Sequence, residues 1–395
     1  MISVEEATAI ILANAAVLKK RSLPLEDALG QTLAETIEAD RDFPPFDRAT
    51  MDGIAISYDA FQSGIRTFPI ESMQAAGEPV GQLHNRTHCI EIMTGAPLPS
   101  GTDSVIPYEQ IRMTERTAHI EVTSVERGQN IHRQGNDARQ GEKLLTPGTL
   151  ISPAEVALLA SVGKSQVVVY ELPKAAIIST GNELVDIDQQ PLPHQVRKSN
   201  SYALQAAWTA LGGTSTLFHL PDEELVIQTE LKRILEQYDV LILSGGVSKG
   251  KFDFIPQSLE ALGIQKMFHQ VSQKPGKPLW FGRSSTQFVF ALPGNPVSTF
   301  LCFHRYVKPW LLASCGRNLT PAKAILAEDY SFNAPLTYFL QVRLRNEDGK
   351  WLAYPVPGGG SGDFVNLRDA DGFLELQKGK KQFQKGESFD LVAFR

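Results

Sequence analysis

Cysteine is scarce in this chain. Cys89, Cys302 and Cys315 are the only three in 395 residues, and none belongs to a CxxC pair. An odd number at wide spacing excludes a disulfide framework and a zinc knuckle, and it points to a reducing compartment. A long basic run is also missing, and the formal net charge is -6. That balance excludes a nucleic-acid-binding stripe. No long apolar run is uninterrupted. The most apolar helical stretch, around residues 300–313, is broken by His304, Arg305 and Lys308, so no membrane span is expected. The first residues, Met1-Ile-Ser-Val-Glu5-Glu6, are acidic where a secretory signal would be basic. A soluble cytoplasmic protein is expected, with neither nucleic acid nor membrane as a partner. Internal repeats and low-complexity tracts are absent as well.

What is present is enough apolar material, 42% of residues, for packed cores. The length calls for about two to four domains. Residues 1 to about 40 read as two helices: Ser3 and Glu6 form a capping box, and Pro24 suits a helix first turn. From residue 43 to about 140 the chain turns β-rich, with apolar stretches at 54–56, 89–93 and 119–125 between Gly, Pro, Asn and Asp turns. Helical signals return at Ser152-Pro153-Ala154-Glu155, and that helix stops at Gly163. A small β domain inserted into a helical one accounts for this order. From Lys174 strands and helices alternate, which implies a parallel, doubly wound sheet. Asp222 is placed to cap the helix that follows it. Beyond about residue 322, alternating stretches at 339–344, 351–355 and 373–376 suit a small barrel.

Three glycine-rich turns lie close together in the α/β segment: Ser244-Gly245-Gly246-Val247-Ser248, Lys274-Pro275-Gly276-Lys277-Pro278 and Pro293-Gly294-Asn295-Pro296-Val297-Ser298. Glycine lets backbone N–H groups face an anion without a Cβ in the way. Lys274 and Lys277 flank a proline-stiffened turn and suit an oxyanion. The third turn enters a helix, with Asn295 and Ser298 as further donors. Taken singly, each also reads as a tight turn or a capped helix start. Ligands in doubly wound sheets bind beyond the carboxyl ends of the strands, where Glu183, Asp222 and Asp253 are expected to converge. Carboxylates beside a phosphate site suit Mg²⁺, with Glu183 and Asp253 as the candidate metal ligands. Three polar stretches in the β segment have little core value: 47–53, 93–97 and 130–137. His84 and His88 stand beside Cys89, but no further ligand lies nearby, and a loop entering a strand is the better reading.

Together these motifs resemble one family, the MoeA-type molybdopterin molybdenumtransferases, which include the E domain of gephyrin. The resemblance rests on Thr50-Met51-Asp52-Gly53, Met93-Thr94-Gly95-Ala96-Pro97, Gly135-Asn136-Asp137 and Ser179-Thr180-Gly181-Asn182-Glu183-Leu184, followed by the three glycine turns, all in the family's order. It covers nearly the whole chain. The sequence departs from the common pattern at Asn182, Lys198 and Gln341, and in the charges of Lys249 and Lys251.

The fold implied is multidomain α/β plus β. It has a helical part (1–42 and 140–172), an inserted small β domain (43–139), a doubly wound molybdopterin-binding α/β domain (173–321) and a C-terminal β barrel (322–395). The activity implied is insertion of molybdate into adenylylated molybdopterin with release of AMP, assisted by Mg²⁺. Asp52, Asp137, Glu183, Asp253, Lys274 and Lys277 would carry the chemistry. Thr94, Ser179, Thr180, Gly181, Ser244, Gly245, Gly246, Ser248, Pro293, Gly294, Asn295, Pro296 and Ser298 would bind the pterin substrate. A homodimer sharing each site between subunits is implied, with the molybdopterin adenylyltransferase as a candidate partner. Two other readings fit the same scaffold: a nucleotide pyrophosphatase, and a non-catalytic molybdopterin-binding scaffold protein.

Overall fold

A computed structural model describes residues 1–247, 254–317, 319–358 and 360–395. Contacts divide the chain into two units. One comprises residues 1–34, 147–152 and 166–395, and the other 35–146 and 153–165.

The first unit is organised by a six-stranded sheet. Its spatial order is Ser215–Leu220, Ala175–Thr180, Val240–Ser244, Phe288–Leu292, Trp280–Arg283, Gln265–His269. The first four strands run parallel, and the last two are antiparallel additions. The sheet is therefore mixed where sequence alone suggested all-parallel pairing. The strands Ala175–Thr180 and Val240–Ser244 are apolar up to their polar carboxyl ends because both faces are covered. Ala175, Ile177, Val240 and Ile242 pack with Leu204, Trp208, Leu301 and Trp310 on one side. Ala176, Ile178, Leu241 and Leu243 pack with Ile227, Leu231 and Leu259 on the other. This alternation is the period-two geometry of a strand. The helices Ser199–Ala210, Glu224–Leu235 and Ile255–Ala261 alternate with these strands, as the sequence from Lys174 implied.

The N-terminal helix Val4–Ala13 joins the same core through Val4, Ala7 and Ile11. Its capping box is complete: the Glu6 amide donates to Ser3 Oγ at 3.1 Å, and the Ser3 amide donates to Glu6 Oε2 at 2.7 Å. The expected second helix is not formed. Lys20–Pro24 is instead a strand paired antiparallel with Gln166–Tyr170, and only a short 3₁₀ turn, Leu25–Asp27, follows it. Pro24 ends that strand, a position that tolerates a missing N–H. The Asp222 cap is also absent. Its backbone N–H instead takes Asn182 Oδ1 at 3.1 Å, and the helix begins after Glu223 with no side-chain cap.

At the C-terminal end, Thr337–Glu347, Lys350–Pro355, Ala322–Leu326, Ser388–Ala393 and Gly372–Leu376 pair in that order. Pairing of the first with the last closes a five-stranded barrel. An ion pair between Arg305 and Glu375 Oε2, at 2.8 Å and mostly buried, ties the barrel to the helical run 296–314.

The second unit holds a six-stranded sheet in the order 104–107, 53–56, 89–92, 67–74, 117–120, 111–113. Its core includes Ile54, Ile56, Phe61, Phe68, Cys89 and Ile106. The helix Pro153–Ser161 ends near Gly163, whose φ of +75° suits a left-handed stop. Among the described residues, no helix is long and apolar enough to cross a membrane.

Removing one member of a buried ion pair strands its partner. Glu375→Leu should therefore cost about 3–5 kcal/mol, whereas Arg305→Met combined with Glu375→Leu should recover most of that. Denaturation midpoints of both variants check this; equal losses would show that the pair does not act as a unit.

Candidate functional site

At the carboxyl edge of the four parallel strands, a cavity of about 1070 Å³ opens in the first unit. Its place follows from topology. The strand Ala175–Thr180 sends its first connection to one neighbour, while the later strand Val240–Ser244 lies on its other side. The crevice at such a switch point is where doubly wound sheets accept ligands. The segments after these two strands meet there. Gly245 and Gly246 have φ of +102° and +68°. A Cβ on Gly245 would stand 2.7 Å from Thr180 Oγ1, and one on Gly246 would stand 2.7 Å from Ile255 Cγ1. Only glycine fits both the conformation and the space.

The cavity brings together most of the residues singled out from sequence: Ser179, Thr180, Gly181, Glu183, Ser244, Gly245, Gly246, Lys274, Lys277, Pro293, Gly294, Asn295, Pro296 and Ser298. Asp222 also lines it. Their side chains differ in what they have free. Ser179 Oγ is spent on the neighbouring strand, donating to Phe218 O at 3.2 Å and lying 3.2 Å from His219 Nδ1. Thr180 Oγ1 is buried and has no partner among the described residues. The Glu183 carboxylate folds back over Gly181, close enough that a Cβ there would collide with it. Asn295 does not cap its helix; Asn295 Nδ2 donates to Ser361 Oγ at 2.7 Å.

Lys274 and Lys277 are exposed and form no ion pair among the described residues. Their turn is held from beneath. Gln273, fully buried, donates from Nε2 to Pro275 O at 3.0 Å, and its Oε1 accepts from the Tyr306 hydroxyl. Ser248 and Asp253 lie outside the described residues.

Sequence reasoning gave no role to Asn200, Ser361 or Gly362, and named Lys198 only as a departure from the family pattern. Asn200 Nδ2 donates to Ser244 Oγ at 2.9 Å and Gly294 O at 2.7 Å, with Thr299 Oγ1 at 3.3 Å, and so braces two of the glycine turns. Lys198 borders the cavity, with its ammonium on Asp186 Oδ1 at 2.8 Å. Ser361 and Gly362 line the cavity from the barrel side. The run Pro357-Gly-Gly-Gly-Ser361-Gly362 was a visible signal for the last of these.

In the second unit, the three polar stretches form one patch. The Ala49 amide donates to Ala96 O at 3.0 Å, the Gly95 amide to Ala49 O at 2.9 Å and the Thr50 amide to Asn130 O at 3.0 Å. Asp52 Oδ1 accepts from the Thr94 amide at 2.6 Å and from Thr94 Oγ1 at 2.7 Å. These bonds, the backbone one first, hold the Asp52 carboxyl below the usual aspartate range. Asp137 Oδ1 lies 2.8 Å from His132 Nε2. His88 faces Glu71 at 3.1 Å, and no cluster of three or more metal-ligating side chains occurs among the described residues.

Residues 2–163 match the family described as "MoeA N-terminal region (domain I and II)", residues 176–313 match "Probable molybdopterin binding domain", and residues 323–394 match "MoeA C-terminal region (domain IV)". The chain belongs to the MoeA family. It is 40% identical to the molybdopterin molybdenumtransferase of Synechocystis sp., covering 100% of both chains. It is 32% identical to that of Bacillus subtilis, over 94% of this chain and 89% of the relative. Among solved structures, a molybdopterin biosynthesis MoeA protein from Pyrococcus horikoshii superposes with a TM-score of 0.85 at 28% identity, covering 99% of each chain. The switch-point cavity and the Asp52 patch are thus features of a MoeA-family chain.

A depressed carboxyl favours the folded state above the unfolded aspartate pKa, and that contribution is lost as pH falls through the folded value. Thr94→Val removes one donor to Asp52 and keeps the amide. The Asp52 titration should then move up toward the ordinary aspartate range. Carboxyl-carbon NMR across acidic pH reads this, and an unmoved titration would show the hydroxyl to be without effect.

Proposed function

We propose that this MoeA-family chain is a molybdopterin molybdenumtransferase, acting on adenylylated molybdopterin and molybdate and releasing AMP with the molybdenum-loaded pterin. The observation that carries the reading is the convergence of the three glycine turns and the Ser179-Thr180-Gly181 segment on one cavity, in a chain matched to such transferases over its full length. That full-length match disfavours the pyrophosphatase and scaffold readings.

The residues divide the work by their chemistry. Gly245 and Gly246 bring the backbone to the cavity with no Cβ to obstruct a phosphate. The Gly245 amide is donated to Leu292 O at 3.2 Å, which leaves the Gly246 amide as the donor of this turn, and Thr180 Oγ1 is a buried hydroxyl with no partner among the described residues. Lys274 and Lys277, without counter-ions among the described residues, offset charge on molybdate and on the phosphates. Asp52, already anionic and oriented by Thr94, and Asp137 orient the attacking oxygen.

The described carboxylates of the cavity, Glu183 and Asp222, are too few for an all-protein cage. They fit Mg²⁺, which takes one or two carboxylates and completes its shell with water and substrate phosphates. Glu183 would hold it, with Asp253 as a second ligand. When bound, the ion would neutralise charge on the pyrophosphate link. The family resemblance further supports a cytoplasmic homodimer in which each site takes residues from both subunits, and the molybdopterin adenylyltransferase as the supplier of substrate.

The test is AMP release by the full chain from adenylylated molybdopterin, molybdate and Mg²⁺. Asp52→Ala and Lys274→Ala should each lower turnover by about 10²–10³, and chelation of Mg²⁺ should abolish it. AMP release that ignores molybdate and extends to simple dinucleotides would restore the pyrophosphatase reading. Sedimentation as a monomer would remove the shared site.

A further inference from the structure

The second unit contains a three-membered hydrogen-bond chain that ends on Asp137. The short strand Arg48–Ala49 pairs antiparallel with Ile131–His132, and the register sets Arg48 directly opposite His132. Facing side chains at such positions touch. Arg48 Nη2 lies 3.3 Å from His132 Nδ1, and the other ring nitrogen, Nε2, lies 2.8 Å from Asp137 Oδ1. The loop that returns the chain to Asp137 is held at its turn. The Gly135 amide, at a φ of +68°, donates to Pro44 O at 3.0 Å, and the Asp137 amide donates to Phe43 O at 2.9 Å.

We propose that His132 is a positioning residue for Asp137, locked by Arg48 into the neutral tautomer that carries its proton on Nε2. A guanidinium has five donors and no lone pair. The ring nitrogen it faces must therefore accept, so Nδ1 bears the lone pair and the one proton sits on Nε2. That proton is donated to Asp137 Oδ1. A doubly protonated ring would turn an N–H against the guanidinium, so the contact is a directed hydrogen-bond chain and not an exposed salt bridge. One carboxylate oxygen of Asp137 is thereby fixed. The other, Oδ2, makes no hydrogen bond among the described residues, and the Asp137 side chain is 53% exposed. Asp137 gains a set direction and offers one oxygen that is unbonded among the described residues. The arrangement parallels an orienting group behind a catalytic base, one shell removed from the reacting atoms.

The catalytic weight of Asp137 rests on the transferase reading, whereas the tautomer does not, and the experiment separates the two. In chain labelled with ¹⁵N at its histidine rings, the signals lost in His132→Gln belong to His132. They should show a protonated Nε2 and an unprotonated Nδ1 at neutral pH, and Arg48→Leu should mix the tautomers. A proton on Nδ1, or no response to Arg48→Leu, overturns the lock. Turnover then tests the positioning. Glutamine places an amide N–H where Nε2 stands; asparagine reaches only as far as Nδ1. His132→Asn should lower kcat by about ten- to a hundredfold with KM little changed, and His132→Gln should recover most of the loss. Equal turnover in the two variants overturns the positioning role. Failure of the wild-type chain to release AMP removes the transferase reading and the role of Asp137 with it, while the ring signals still decide the lock.

Discussion

The site of the first unit depends on how closely its backbone turns approach one another. Thr180 and Gly245 come so near that a side chain on Gly245 is excluded, since its Cβ would stand 3.0 Å from Thr180 O, and Gly294 lies in contact range of the Gly245 Cα. Turns this close need something to hold their carbonyls and hydroxyls, because unpaired polar groups at a crowded sheet edge are costly. The Asn200 carboxamide supplies that brace by bonding both the Ser244 side chain and the Gly294 carbonyl. At these turns the cavity is therefore edged by backbone where a side chain would not fit.

The cationic side of the cavity is built differently. Lys274 and Lys277 sit on a turn whose preceding residues, Gln273–Lys274, add a parallel pairing to the barrel strand Thr337–Glu347. The buried Gln273 amide fills the space under the turn, contacting Pro275 O and the Tyr306 hydroxyl. Burying an amide in this way is tolerable only because both of its ends find partners. The same helical run that supplies Tyr306 also supplies Arg305 to Glu375 of the barrel. Sheet, turn and barrel thus share one polar framework beneath a turn whose two exposed ammonium groups form no ion pair among the described residues.

In the second unit the loops with little core value are held by hydrogen bonds to their carboxylates. Asp47 accepts from Arg133 Nη1 at 2.5 Å and from the Gln134 amide at 2.8 Å, while Asp52 accepts twice from Thr94. Carboxylates so engaged stay anionic and stay put. Gly53, which follows Asp52, could not carry a Cβ without striking the Ile106 carbonyl. The Met51-Asp52-Gly53 turn is thereby pressed onto its sheet.

The parallel strands at the centre of the α/β sheet were legible from sequence, because a strand covered on both faces is apolar; the antiparallel strands Trp280–Arg283 and Gln265–His269 were not. The glycine turns were legible because so few residues tolerate their conformation. Helices with local caps, such as the Ser3–Glu6 box, could also be read directly. The strand Lys20–Pro24 could not, since its partner lies at Gln166–Tyr170 and no local signal records that pairing. Asn200, Gln273 and Arg48 escaped for the same reason: each is an ordinary polar residue until a segment distant in sequence supplies its acceptor. The amino-acid sequence by itself determined which turns could bind an anion and which family the motifs resemble. Only the tertiary structure decided that these turns share one cavity, that Asp222 caps nothing, and that His132 has Arg48 on one side and Asp137 on the other. Conformational restriction is a property of single residues, whereas hydrogen-bond satisfaction belongs to pairs that only folding brings together.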